Sequence, residues 1–245
     1  MKPYYEHAGI TIYHGDCVEI LSQLPAVPWP ELLITDPPYG AKMSFDSTRF
    51  RPSKKSTKWW SNPDRSSAPL HTPVFGDGVP FEPAHLFTYS FRRFVLFGAN
   101  HYASKLPDSG GWLVWDKRRG IEDCRWPMSE GELAWTNFGT GVRFFRHRWF
   151  GLIRDSEKGE HFHPTQKPTA LMEWCIEYYG ELRGSICDPY CGSGPVLLAA
   201  QKLDRKAIGI EIEEKYCEIA AKRLSQKSCV SNGPLAVNLT CPLRL

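Results

Sequence analysis

Ser185-Ile186-Cys187-Asp188-Pro189-Tyr190-Cys191-Gly192-Ser193-Gly194-Pro195 starts as an apolar run, stops on a carboxylate and turns through two glycines into the apolar stretch Val196 to Ala200. A strand that passes through a glycine turn into a helix is the repeating unit of open α/β sheets, and the missing side chains let the backbone approach a ligand closely. No Gly-Lys-Ser/Thr follows, so this is not a nucleoside-triphosphate loop, and Leu197 stands where a dinucleotide fingerprint needs its third glycine. Glu211 closes the next apolar run, 23 residues after Asp188, near the spacing at which an acidic side chain meets ribose hydroxyls. A glycine turn that holds nothing is the competing reading.

Outward from this turn, short apolar runs at Ile10 to His14, Glu31 to Asp36, Phe94 to Phe97, Trp112 to Trp115 and Ala207 to Glu211 are bounded by Gly, Pro and Asp. They alternate with segments of helical period at Thr169 to Tyr179, Pro195 to Leu203 and Glu213 to Leu224. The alternation predicts an α/β fold. Ser129 to Phe150, with aromatic and branched residues in near alternation around Gly139-Thr140-Gly141, predicts a hairpin. Ala41 to Pro80, rich in Ser, Pro, Lys and Arg, predicts a long loop. Ligands of doubly wound sheets bind beyond the carboxyl ends of the strands, which directs attention to Asp36, Asp188 and Glu211.

The composition of the 245 residues, 42% hydrophobic and 23% charged, is that of an ordinary globular domain. No stretch reaches the length of a membrane span and the first residues lack a signal-peptide pattern, so membrane and secreted classes drop out and the expected compartment is the cytoplasm. Eight cysteines without a CxxC pair predict free thiols. His161, His163, Cys187 and Cys191 can be drawn as a metal site, but their spacing fits no known ligand pattern and no metal is expected. The net charge of +3 is unevenly spread. Between Ala41 and Ser66, Lys42, Arg49, Arg51, Lys54, Lys55, Lys58 and Arg65 face only Asp46 and Asp64, with Trp59-Trp60 among them. Such a stretch either grips phosphates or is a solvated loop. Lys117-Arg118-Arg119 and Arg143, Arg146 and Arg148 form further basic patches, the last two on one face of the predicted hairpin.

The run Leu32 to Thr35 leads into Asp36-Pro37-Pro38-Tyr39-Gly40. Two prolines fix φ and donate no N–H, so the chain leaves the sheet stiff, with the Asp36 and Pro37 carbonyls free to accept hydrogen bonds. A carboxylate, a carbonyl and an aromatic ring in one rigid corner suit a planar group bearing NH2, its hydrogens accepted and its face stacked. The bland alternative is a strand-ending turn with a buried tyrosine. A third string, His163-Pro164-Thr165-Gln166-Lys167-Pro168, precedes the glycine turn.

The proline corner resembles the D/N/S-P-P-Y/F loop of amino-methyltransferases, which methylate exocyclic amines with S-adenosylmethionine. The glycine turn is similar to their D-P-F-x-G-S-G-T motif, with Tyr190 for Phe and with Pro195 for Thr, which removes a hydroxyl and an N–H. His163 to Pro168 agrees almost verbatim with the segment that precedes this motif and contacts the methionine end of the cofactor. The order, proline corner first and glycine turn last, is that of the permuted β group of DNA amino-methyltransferases, and the chain is similar to compact phage and prophage members over about residues 8 to 225. The resemblance implies a circularly permuted Rossmann-like class I methyltransferase fold with a mostly parallel seven-stranded sheet. It implies a single catalytic domain over 1–226, with 41–80 a basic mobile loop, about 117–150 a DNA-contacting region and 227–245 a tail outside the likeness. By resemblance Asp36, Pro37, Pro38 and Tyr39 are catalytic. Asp16, Cys17, Thr165, Gln166, Lys167, Asp188, Tyr190, Cys191, Gly192, Ser193, Gly194, Glu211 and Ile212 hold S-adenosylmethionine. Arg49, Arg51, Lys54, Lys55, Lys58, Lys117, Arg118, Arg119, Arg146 and Arg148 meet double-stranded DNA, whose target base is flipped out. A homodimer is compatible with the resemblance. Adenine is the expected target, the cytosine amine the runner-up, and a DNA-binding regulator without activity the rival from another class.

Overall fold

Five of the apolar runs lie side by side as parallel strands, and the rest of the molecule is built on them. The computed structural model describes residues 1–24, 30–40, 75–118, 129–150, 153–157, 162–163, 165–181 and 183–227. In chain order the elements are β1 (Tyr5–His7), β2 (Ile10–His14), α1 (Cys17–Gln23), β3 (Leu32–Thr35), β4 (Arg93–Phe97), β5 (Gly111–Asp116), β6 (Gly131–Thr136), β7 (Val142–Arg146), β8 (Trp149–Phe150), β9 (Ile153–Arg154), α2 (Thr169–Tyr179), β10 (Ile186–Asp188), α3 (Pro195–Lys202), β11 (Ala207–Glu211) and α4 (Glu214–Lys227). The main sheet has the order β1-β2-β11-β10-β3-β4-β6-β5-β7, while β8 and β9 pair separately.

Strand alternation explains why the central runs are apolar throughout. Leu32, Ile34, Val95 and Phe97 point to the face covered by α2, α3 and α4, through Leu171, Ile176, Leu197 and Leu224. Leu33, Phe94, Leu96 and Cys187 point to the other face, against Ile20 and Leu21 of α1 and Leu86. A parallel sheet covered on both faces must be apolar on both.

Among the described residues the sheet has nine strands, not seven. β1 folds back antiparallel onto β2, and β6 runs antiparallel to β4 and β5. The remaining seven share one direction, so the sheet is mostly parallel as expected. The hairpin over Ser129 to Phe150 does not form, because β6 and β7 flank β5 and pair with it from either side. Gly110 and Gly111 admit the start of β5 between them. A Cβ on Gly111 would lie 2.8 Å from the Phe138 carbonyl oxygen, and one on Gly110 would touch the Thr140 backbone at 3.4 Å. Arg146 consequently ends β7 and Arg148 lies beyond it, so they do not share a hairpin face.

The helix α1 was not foreseen. Its signal is present, since Asp16 stands three residues before Glu19 in the pattern of a capping box, and the Asp16 carboxylate accepts the N–H groups of Val18 (2.8 Å) and Glu19 (3.2 Å). The five described cysteines, Cys17, Cys175, Cys187, Cys191 and Cys217, are buried free thiols. No described helix is long and apolar enough to cross a membrane.

Candidate active site

The direction of strand succession reverses between β10 and β3. From β10 the chain proceeds through α3 to β11 on one side, and from β3 it proceeds to β4 on the other. Crevices open at such a reversal. Here the glycine turn leaves β10, the proline corner leaves β3, and the Thr35 hydroxyl donates to Asp188 Oδ1 at 2.7 Å to join them. A cavity of about 420 Å³ lies above this junction, and Tyr39 and Gly192 both line it. Its size is that of a cofactor site.

Asp16, Cys17, Tyr190, Gly192, Glu211 and Ile212 stand on the walls of that cavity. Glu211 accepts the N–H of Gly192 (2.9 Å) and of Glu213 (2.8 Å), so its carboxylate shapes the turn while facing the space. Burial pushes the Asp188 carboxyl up to about 7, although the Thr35 hydroxyl and the Tyr190 N–H favour its charged form. Cys191 and Ser193 line a smaller adjoining cleft with Asp36, Gln166 and Lys167. Gly194 is placed differently, since a Cβ there would lie 3.0 Å from the Ala220 Cβ and the residue serves the packing of α3 against α4. Pro195 opens α3, where its missing N–H leaves no helical bond unmade.

The proline corner carries the charge. Asp36 Oδ2 is ion-paired with Lys167, while Asp36 Oδ1 is buried and has no hydrogen-bond partner among the described residues. Lys167 also meets Glu132 at 3.1 Å, and Glu132 in turn is paired with Lys117. Burial alone would lower the Lys167 ammonium, but the two carboxylates outweigh it and push it well above its ordinary value. Burial raises Asp36, more than Lys167 lowers it. For Glu132 burial acts upward too, but Lys167 and Lys117 prevail and hold its carboxyl down at about 2.

The Tyr39 ring stacks on His101 with centroids 4.3 Å apart and planes 9° from parallel. It rests on Gly98, whose φ is +68° and whose absent Cβ would lie 2.4 Å from Tyr39 Cε1. Gly98→Ala is therefore expected to drive the ring from its place. The Tyr39 ring signals in NMR spectra of protein carrying isotope-labelled tyrosine should shift in a variant that melts within a few degrees of the parent, and an unchanged ring environment would contradict this packing.

Thr165, Gln166 and Lys167 form a strap across the junction. Gln166 Oε1 accepts the Phe162 N–H (3.0 Å), and the Thr165 hydroxyl lies 3.1 Å from His163 Nδ1. The strap is tied to the glycine turn by Glu157 and Arg223, neither singled out in the sequence. Glu157 accepts from the Thr169 N–H and hydroxyl (2.9 and 2.8 Å) and from Arg223 (3.0 Å), while Arg223 donates to the Ser193 carbonyl at 2.7 Å. Arg223→Ala would leave Glu157 buried without its cation and should cost about 3–5 kcal/mol in urea unfolding; a loss below about 1 kcal/mol would show the tie to be idle.

Residues 117–222 match the profile of the N6/N4 family described as DNA methylase. The type II methyltransferase M2.LlaDCHI of Lactococcus lactis subsp. cremoris is 43% identical over 258 residues, covering 92% of this chain and 93% of its own. The chain belongs to the N6/N4 DNA methyltransferases. The type II methyltransferase M.ScaI of Streptomyces caespitosus is 27% identical over 93% of the chain and 85% of its own length. Among solved structures, M1.HpyAVI in complex with SAM (TM-score 0.51, 23% identity, 88% of this chain and 98% of that one) and the cytosine-N4-specific PvuII DNA methyltransferase (TM-score 0.57, 15% identity, 96% and 91%) share the fold.

The described basic residues expected to meet DNA are dispersed in this DNA methyltransferase. Arg146 is exposed near Asp116 (3.8 Å), Arg148 is paired with Asp155 (2.8 Å), and Arg118 is paired with Glu130 (3.0 Å). Lys117 stands apart from them, largely covered and turned toward Glu132. Arg49, Arg51, Lys54, Lys55, Lys58 and Arg119 lie outside the described residues, as do most of the basic loop and the C-terminal tail. No group of three metal-binding side chains occurs among the described residues.

Proposed function

We propose that the protein transfers a methyl group from S-adenosylmethionine to the exocyclic N6 amine of adenine in double-stranded DNA. The observation that carries this reading is a buried carboxylate oxygen without a partner among the described residues, Asp36 Oδ1, on a residue that lines one cavity together with Tyr39, Gly192 and Glu211. The cavity walls fit the cofactor: carboxylates of Asp16 and Glu211 suit hydroxyls and amines, and Gly192 leaves the turn without a side chain where only the His163 ring, at 3.7 Å, would meet a Cβ. When bound, S-adenosylmethionine would supply an electrophilic methyl group whose leaving group is the sulfonium sulfur, and the proton given up by the methylated amine would pass through Asp36 to solvent.

The chain's own residues prepare the amine. Its lone pair is delocalised into the ring, and hydrogen bonds from N–H to Asp36 Oδ1 and to the Pro37 carbonyl draw the hydrogens aside and free it. Tyr39, held by Gly98 and His101, offers a face for the flipped base. The stiffness of Pro37-Pro38 keeps acceptors and ring in register, which is how positioning lowers a barrier. The aspartate form of the corner favours adenine by resemblance. Methylation of synthetic duplexes followed by nucleoside mass spectrometry tests this: N6-methyladenine is expected, and N4-methylcytosine alone would overturn the choice of base.

A further inference from the structure

Asp36 is the last of four buried or half-buried charges that alternate in sign. Lys117 follows the end of β5, Glu132 lies in β6, Lys167 in the strap and Asp36 in the proline corner, each paired with the next. Amine activation needs the last of these. The other three are costly to bury, and a merely structural cluster could be replaced by apolar packing with little loss. The arrangement is asymmetric in a way that bears on the reaction. The single Lys167 ammonium is shared between Asp36 Oδ2 and Glu132, and Asp36 Oδ1 is left without a partner among the described residues.

We propose that Glu132 and Lys117 are positioning residues that govern how firmly Lys167 holds the Asp36 carboxylate, and so how readily its other oxygen receives the amine hydrogen. The inference rests on the reading of Asp36 given above. In a low-dielectric interior each change along such a chain is felt at its end. Without the Glu132 charge, Lys167 belongs wholly to Asp36, which becomes a weaker base. Without the Lys117 charge, Glu132 draws harder on Lys167 and Asp36 becomes a stronger one. The other titratable groups felt at Asp36 are the Tyr39 and Tyr102 hydroxyls and Asp188 beyond Thr35; Glu132 also acts on Tyr39, whose hydroxyl burial holds well above its ordinary value, while neither Glu132 nor Lys117 acts on Tyr102 or Asp188.

The test is the acid limb of single-turnover methyl transfer in Glu132→Gln and Lys117→Gln. Glu132→Gln should move the limb to lower pH and Lys117→Gln to higher pH, each by about half a pH unit or more, a roughly threefold change in rate at fixed pH on the limb. Limbs that coincide with the parent's, or that move the same way in both variants, overturn the proposal. Should Glu132→Gln fail to fold, Lys117→Gln, at the far end of the series of pairs, decides alone. Titration of the Asp36 carboxyl by NMR in protein carrying isotope-labelled aspartate, with no cofactor present, must shift in the same two directions. That readout separates the two readings: turnover surviving in Asp36→Ala would remove the role of Asp36, whereas an unmoved titration would remove the coupling.

Discussion

Asp36→Ala is expected to lower single-turnover methyl transfer by about 10³-fold or more, within the range for groups that handle a proton in the transition state, while calorimetry finds S-adenosylmethionine bound as in the parent. The division follows from placement. The cavity is lined by Asp16, Glu211 and Gly192 as well as by Asp36, whose part in the proposal is to receive the amine and not to hold the cofactor. The expected pH dependence has a definite sign. Asp36 acts ionised, and burial holds its carboxyl above the ordinary carboxylate value, so the rate falls as pH drops through that raised value, earlier than an exposed aspartate would allow. Turnover retained in Asp36→Ala would refute the proposed role.

Lys167→Met has the second large effect, and it falls on stability. The substitution leaves the Asp36 and Glu132 carboxylates buried near one another, with Lys117 alone to compensate. Removing one member of a buried ionic cluster costs about 3–5 kcal/mol, enough to move the urea midpoint markedly at neutral pH. In the parent, the Glu132 carboxyl lies at about 2, below its unfolded value, so its contribution is present at neutral pH and is lost as pH falls. In the variant both carboxyls gain from protonation on folding. The gap in stability should therefore be widest near neutrality and narrow toward acid pH. Equal stability of the two proteins at neutral pH would contradict the ionic network.

What the sequence discloses about this fold follows from how local each signal is. The central strands are legible because burial on both faces leaves unbroken apolar runs, and α2, α3 and α4 because their core positions recur at helical spacing. β1 is silent: its turn to β2 uses Ala8 and Gly9, both at positive φ, and alanine is not a residue that advertises such a turn. The Ser129 to Phe150 segment misleads, since alternation marks strands without naming their partner, and β5 is the neighbour each prefers. At the candidate site, the motif residues that surround one cavity are visible as strings. The ties between them are not: Glu132, Glu157 and Arg223 come from separate segments and acquire meaning only when the chain brings them beside Lys167 and Ser193. Lys117 reads as part of a basic patch for the same reason, although it points inward at Glu132.

A crystal structure of the protein with S-adenosylhomocysteine tests the central claim most directly. The account predicts density in the crevice between β3 and β10, bounded by Gly192 and Glu211, with the sulfur end directed at the Asp36 and Tyr39 corner. Ligand bound elsewhere, or in that crevice with its sulfur turned away from Asp36, would contradict it.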